Sequence, residues 1–225
     1  MVHVRFPNHS QLAQTYSCGP ICLQNVYEHF GLDVSLDDIL TSLRVTENDT
    51  TYLSQLAKDV VSRGLDSVII TSYAVSVSPD WEGKSAQEVL SRLDEWAKSN
   101  PRDKFIIDAT YLRDYLRAGG RVVVTDLSTT LIDTFLGDGY KAVVCLEESW
   151  LWGRRKRDKV AQFDDIYGSA RGHIVVVFDS TDTEYIVSDP YPTGLSGREG
   201  IYPVPKDKLF ISMAMWNAEV LMIKK

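Results

Sequence analysis

Two hydrophobic periods follow one another along this chain, and their order restricts the fold more than any other feature. Apolar residues recur at three-to-four spacing through the first hundred residues, and short β-branched runs dominate the last hundred. Cys22, Val26 and Phe30, with Leu23 and Tyr27, share one face of a helix that begins just after Cys18, carries Pro20 in its first turn and stops at Gly31. Ser35 followed by Asp38 starts a second, short helix striped by Leu36, Ile39, Leu40 and Leu43. A third spans residues 51–63, with Leu53, Leu56 and Val60 on one face and Gly64 as its stop. A strand over 68–73 and a helix over 85–98 follow, and Asn100-Pro101 breaks that helix.

Residues 111–120 and 130–139 read as helical segments ending in glycine, each followed by a β-branched run, 122–124 and 142–146. This repeated plan is ordinary grammar, at periods shorter than those of repeat architectures. After Gly172 the pattern becomes antiparallel sheet: a strand over 173–179, a Ser-Thr-Asp-Thr turn, and a strand over 184–188. Residues 190–205 are rich in glycine and proline and read as loop with a short strand at 200–202, before a helix over 206–216 and a last strand over 219–223. Helices first and sheet last, with no linker between them, predict an α+β protein in a single domain over residues 1–225. Its helical lobe covers about 15–100 and its sheet lobe about 120–225 around one chain-wide core, for which 44% hydrophobic residues suffice.

Several function classes are disfavoured. The net charge is −7, so the chain offers no broad cationic face for a phosphate backbone, and no nucleic-acid partner is expected. No uninterrupted apolar run exceeds five residues, residues 174–178 being one; a bilayer span needs roughly 20, so no membrane insertion is expected. Residues 1–11 lack the apolar block of a secretion signal, and three cysteines, an odd count, suit a reducing compartment, so the expected location is cytoplasmic. No pair of histidines or cysteines has zinc-ligand spacing with a second pair to complete it; no metal and no cofactor are expected. Oligomeric state is left open.

The chemistry concentrates in residues 11–31. A cysteine followed by Gly-Pro at the start of an amphipathic helix has its thiol in the first turn, where unpaired amides and the helix dipole favour a negative charge. Thiols so placed can have a pKa of roughly 3.5–7.5, which makes Cys18 the nucleophile candidate. Cys22 and Cys145 have apolar surroundings and read as small buried hydrophobes. A thiolate nucleophile needs a base, and the base an orienting acceptor. Of the four histidines, His3 and His9 lie in an irregular amino-terminal segment and His29 at the far end of the first helix, whereas His173 opens a strand directly after Gly172. Asp189 follows on the next strand, and counting back from the turn sets it opposite His173, with Cβ atoms about 4.5–5.5 Å apart.

These blocks resemble a family. SCGPICL with an upstream glutamine, then GHIVVVFDSTDTEYIVSDP, is similar in order and spacing to the papain-like cysteine peptidases of the bacteriocin-processing type, over nearly the whole chain. The resemblance implies a papain-like two-lobed fold and a thiol peptidase acting on a peptide or protein substrate, with Cys18 as nucleophile, His173 as general base and acid and Asp189 as orienting carboxylate. It also implies a glutamine that donates to the oxyanion. The family's spacing points to position 12, which is leucine here; Gln11 is favoured over Gln14, because a one-residue bulge is absorbed more easily than a two-residue shortening. Transpeptidation and deamidation use the same triad, and the displaced glutamine supports a third reading, an inactive relative that only binds peptides. Each site residue has a plainer alternative: a packed cysteine, a hydrogen-bonded histidine, a turn-forming Asp-Pro, surface glutamines.

The run WLWGRRKRDK, residues 150–159, sets Trp150, Trp152 and five cations immediately before the strand that carries His173. It reads either as a lid or substrate contact or as a solvated basic loop. Gly19, Gly172 and Tyr191 are further cleft candidates, Tyr191 alternatively being turn chemistry.

Overall fold

The computed structural model describes residues 6–156 and 162–225. His3, and Arg157 and Lys159 of the basic run, fall outside them. Among the described residues the chain forms a mixed α+β fold with one mixed sheet. In chain order the elements are α1 (Cys18–His29), α2 (Leu36–Leu43), α3 (Leu53–Ser62), β1 (Asp66–Thr71), α4 (Ala86–Ser99), α5 (Ile106–Arg117) and β2 (Arg121–Val124). They continue with α6 (Thr129–Gly137), β3 (Lys141–Glu147), α7 (Glu148–Trp152), β4 (Gly172–Ser180), β5 (Glu184–Asp189), β6 (Gly200–Pro205), α8 (Lys206–Ala214) and β7 (Glu219–Lys224). The strand order is β2-β1-β7-β3-β4-β5-β6; β1 and β2 are parallel and every other neighbouring pair is antiparallel.

The central strands explain their own apolar runs. In β3 and β4 successive residues face opposite sides of the sheet, and both sides are covered. Val143, Cys145, Ile174 and Val176 join one cluster with α1, α3, α4 and α5, while Ala142, Val144, Val175 and Val177 join a second with α6, α7 and α8. The sheet therefore splits the apolar interior into two clusters rather than lying along one side of a chain-wide core. The helical stretch 15–100 contributes a strand of its own, since β1 lies between β2 and β7.

Three local expectations are corrected. The short strand expected at 200–202 is longer: 190–199 is loop, but β6 occupies all of Gly200–Pro205 and pairs with β5 throughout. Its prolines are tolerated because β6 is the sheet's edge, where one side of the backbone needs no ladder partner. Helix α5 starts at Ile106, several residues before the periodic pattern becomes clear, behind an Asp103 side chain that accepts from the Phe105 N–H at 2.8 Å. Helix α7 was not foreseen. It is held at its start by Glu147 Oε2, which accepts the Trp150 N–H at 2.9 Å, and ended by Gly153 at φ 76°.

Leu221, at the middle of β7 between β1 and β3, is fully buried. Leu221→Ala should lower stability by about 2–5 kcal/mol, read as a fall in the urea midpoint with little change in slope.

Candidate active site

Two elements bring Cys18 and His173 together from opposite ends of the sequence. Helix α1 packs on β4: Leu23 and Val26 are fully buried in the cluster that holds Ile174 and Val176, and the Cys22 thiol donates to the Ile174 carbonyl at 3.3 Å. The approach is close at Gly19, where a Cβ would collide with Thr51 and come within 3.2 Å of the Ile174 side chain. This sets the amino-terminal end of α1 beside the start of β4, where the half-buried Cys18, whose thiol donates to the Tyr16 carbonyl at 3.9 Å, and the His173 imidazole line one cavity.

Asp189 meets His173 by a different route from the one expected. Continuing the register of Val176 with Ser188 sets Asp189 level with Val175, not His173, so the two side chains meet diagonally. Between Val177 and Asp179 the register shifts by one residue at a bulge. Without it, the pairing of Asp179 with Ile186 would continue to Val176 opposite Asp189 and turn the carboxylate to the other face of the sheet. The bulge returns Asp189 to the face of His173, where Asp189 Oδ1 lies 2.7 Å from Nε2. Nδ1 is left for the thiol.

The Asp189 carboxylate is 1% exposed and fully engaged. Oδ1 also accepts the Tyr191 backbone N–H at 2.9 Å, and Oδ2 accepts Trp152 Nε1–H at 2.9 Å and the Tyr202 hydroxyl at 2.6 Å. Burial alone would raise its pKa, but the His173 charge and these donors hold it below the ordinary carboxylate range. For His173, burial works against the charged form; the Asp189 carboxylate and the Cys18 thiol outweigh it and raise the pKa to about 10. The Cys22 and Cys145 thiols are buried, and burial raises both.

A cavity of about 1030 Å³ opens over this constellation. Cys18, His173, Gly172, Gln11, Gln14 and Tyr191, all foreseen, line it. Gln11 is 4% exposed; its backbone N–H donates to the Pro190 carbonyl at 2.8 Å and its Nε2 to the Thr15 carbonyl at 2.9 Å, while Oε1 has no partner. Gln14 is exposed at φ 70°. Gly172 is required by Trp216, whose indole would lie 2.6 Å from any Cβ there.

Three expected cleft residues do not line the cavity. Gly19 lies beneath it against Thr51, Trp152 lies behind His173 with its indole on Asp189, and Trp150 is 53% exposed on α7. Among the described cations of the basic run, Lys156 lines the cavity and Arg154 and Arg155 are exposed. Sequence reasoning missed Tyr202, Glu148 and Trp216. Tyr202 closes the short strand read at 200–202 and, like Glu148 and Trp216, carries no local pattern that marks it as part of a site. Among the described residues no three His, Cys, Asp or Glu side chains are grouped so as to hold a metal ion, and no helix is long and apolar enough to cross a membrane.

No protein-family profile matches the chain, and no curated protein does. Among solved structures it is similar to the peptidase domain of Streptococcus ComA, a bifunctional ABC transporter involved in a quorum-sensing pathway, with 14% identity, 98% of each chain covered and a TM-score of 0.47. It is also similar to a protein from Bacillus anthracis described as a C39-like peptidase, with 11% identity, 98% of this chain and 95% of that one covered, and a TM-score of 0.46.

The His173–Asp189 pair predicts a pH-dependent stability. An imidazole whose pKa is raised from 6.5 to about 10 in the fold stabilises it fully below pH 6.5, and that contribution is lost as the pH climbs toward 10. The urea midpoint, followed by tryptophan fluorescence, should therefore fall across this window, and His173→Gln should flatten the decline. Trp152→Phe keeps a ring beside His173 but removes one donor from a buried carboxylate, and should cost about 1–3 kcal/mol at neutral pH in the same assay.

Proposed function

We propose that this protein is a papain-like thiol hydrolase that cleaves a peptide, isopeptide or related amide bond through an acyl-enzyme. The observation that carries the proposal is the convergence of Cys18 and His173 on one open cavity, with the Asp189 carboxylate 2.7 Å from the His173 ring behind it and the two other cysteines buried. Cys18 passes its proton to His173 Nδ1, and the thiolate adds to the acyl carbon. Asp189 holds the ring through Nε2 and stabilises the imidazolium. His173 then returns the proton to the leaving amine, and water or a second amine releases the acyl group. The acceptor decides between hydrolysis, deamidation and transpeptidation.

Two donors are available to the developing oxyanion. One is the Cys18 backbone N–H at the first turn of α1, where Pro20 supplies none. The other is Gln11, whose amide carries a second N–H beyond the one given to Thr15. Such a donor is worth roughly 2.7–4 kcal/mol in the transition state. The commitment of Gln11 Nε2 to the Thr15 carbonyl also favours a second reading, a cleft that binds a peptide without turning it over.

Iodoacetamide at near-neutral pH, followed by peptide mapping, distinguishes the two. The catalytic reading expects Cys18 to be alkylated far faster than Cys22 or Cys145 and His173→Ala to slow it; equal, slow labelling of the three would sink it. On a substrate found from a peptide library, Cys18→Ala should abolish turnover, and Gln11→Ala should lower kcat by about 100- to 1000-fold with little effect on KM.

A further inference from the structure

One arm of the cavity is not used by the proposed chemistry. Tyr52, Tyr73, Phe105, Ile107, Met215 and Trp216 line it, together with Asp108 in the first turn of α5. Two close contacts fix this arm beside the reactive pair: Trp216 packs on Gly172, the residue before His173, and Thr51 on Gly19, the residue after Cys18. The Ser72 N–H donates to the Ala218 carbonyl at 3.0 Å and so holds Tyr73 next to the segment that carries Met215 and Trp216. The Tyr52 ring lies 5.2 Å from that of Tyr111, one turn along α5 from Ile107 and Asp108, which sets the start of α3 against the start of α5.

These walls are apolar and open. Ile107, Met215 and Trp216 are each more than 40% exposed, unusual for large hydrophobic side chains grouped at one cavity. Two polar atoms on the same side, Thr51 Oγ1 and Asn217 Oδ1, are buried without a partner, one able to donate and the other to accept, as a peptide main chain requires. Asp108 is the charge in this arm that lacks a counter-ion. Among the described residues no cation pairs with its carboxylate, and burial raises its pKa. The other charges lining the cavity are engaged elsewhere: Lys104 Nζ lies 4.6 Å from the centre of the Phe105 ring, Lys156 pairs with Glu148 at 3.0 Å, and Arg171 acts on that pair.

The chemistry of the occupant follows from what each class of side chain would do to Asp108. A purely apolar side chain would strip water from the carboxylate and replace it with nothing, and an acidic one would add a like charge. A long apolar stem ending in a cation covers the walls, meets the aromatic faces and neutralises the carboxylate. We propose that this arm is a specificity pocket for a lysine or arginine side chain of the bound peptide, with Asp108 as the residue that selects the charge. The proposal rests on the reading of the cavity as a peptide site, and it holds whether or not Cys18 turns the peptide over.

Binding to the full chain carrying Cys18→Ala tests it without turnover. Alanine-based heptapeptides with lysine, its uncharged isostere norleucine, or glutamate at each position in turn are titrated while tryptophan fluorescence is followed. At one position lysine should bind about 10- to 100-fold more tightly than norleucine, and glutamate most weakly. Adding Asp108→Asn should bring lysine down to norleucine while leaving the norleucine affinity within about twofold, and Asp108→Lys should make glutamate the preferred residue. The comparison among the three peptides needs no change at Asp108, so it stands even where such a variant folds poorly. Equal binding of lysine and norleucine at every position, or a lysine preference that survives Asp108→Asn, overturns the specificity pocket and leaves the peptide site in place. Failure of every peptide to bind overturns both.

Discussion

A single buried carboxylate sets the demands that the rest of the site meets. Asp189 has almost no contact with solvent, so each of its oxygens must find donors inside the protein or the group gives up its charge. The four donors come from four places: the imidazole of β4, the indole at the end of α7, the phenol of β6 and the backbone just beyond β5. Satisfying the carboxylate therefore joins the last strands of the sheet to the short helix before β4. It also fixes the ring of His173, because a bond at Nε2 decides which nitrogen remains for the thiol. The edge strand and the five-residue helix, minor in the fold, carry half of these donors.

The thiol arrives from the other half of the chain. Helix α1 can set its first turn against the start of β4 because it has no side chain at Gly19 and an apolar face running through Leu23 and Val26. The contact is made on one face of the sheet, while His173, Trp152, Tyr191 and Asp189 gather on the other. Cys18 and His173 meet at the cavity, where the first residues of β4 pair with the last residues of β3.

Much of this is readable in the residues, for reasons that differ by element. Cys18-Gly19-Pro20 announces itself because a helix start has its own chemistry, and His173 because a polar ring preceding five apolar residues has nowhere to go but the strand's end. Gln11 is separable from Gln14 by the cost of a bulge against that of a shortening, and of the two it is Gln11 that is buried. Trp152 was assigned to the cleft wall because two tryptophans beside a basic run suggest a contact surface; in the fold, α7 turns one indole inward to Asp189 and leaves Trp150 outside. Tyr202 lies in the short strand read at 200–202, but nothing local says that its hydroxyl reaches Asp189 on β5.

Local physics thus decided the character of the elements. Helical periodicity, caps and apolar runs act over a few residues, and they specify α+β, the placing of a thiol in the first turn of a helix, and a histidine at the head of a buried strand. Only the folded chain decided which side Asp189 faces, because that depends on a one-residue bulge between β4 and β5 that shifts register without leaving a pattern. The same holds for the two clusters divided by the sheet and for the burial of the Glu148–Lys156 pair beside the cavity. Those arrangements are long-range. Burial and Coulomb forces act between residues that are distant in sequence and become neighbours only when the layers close.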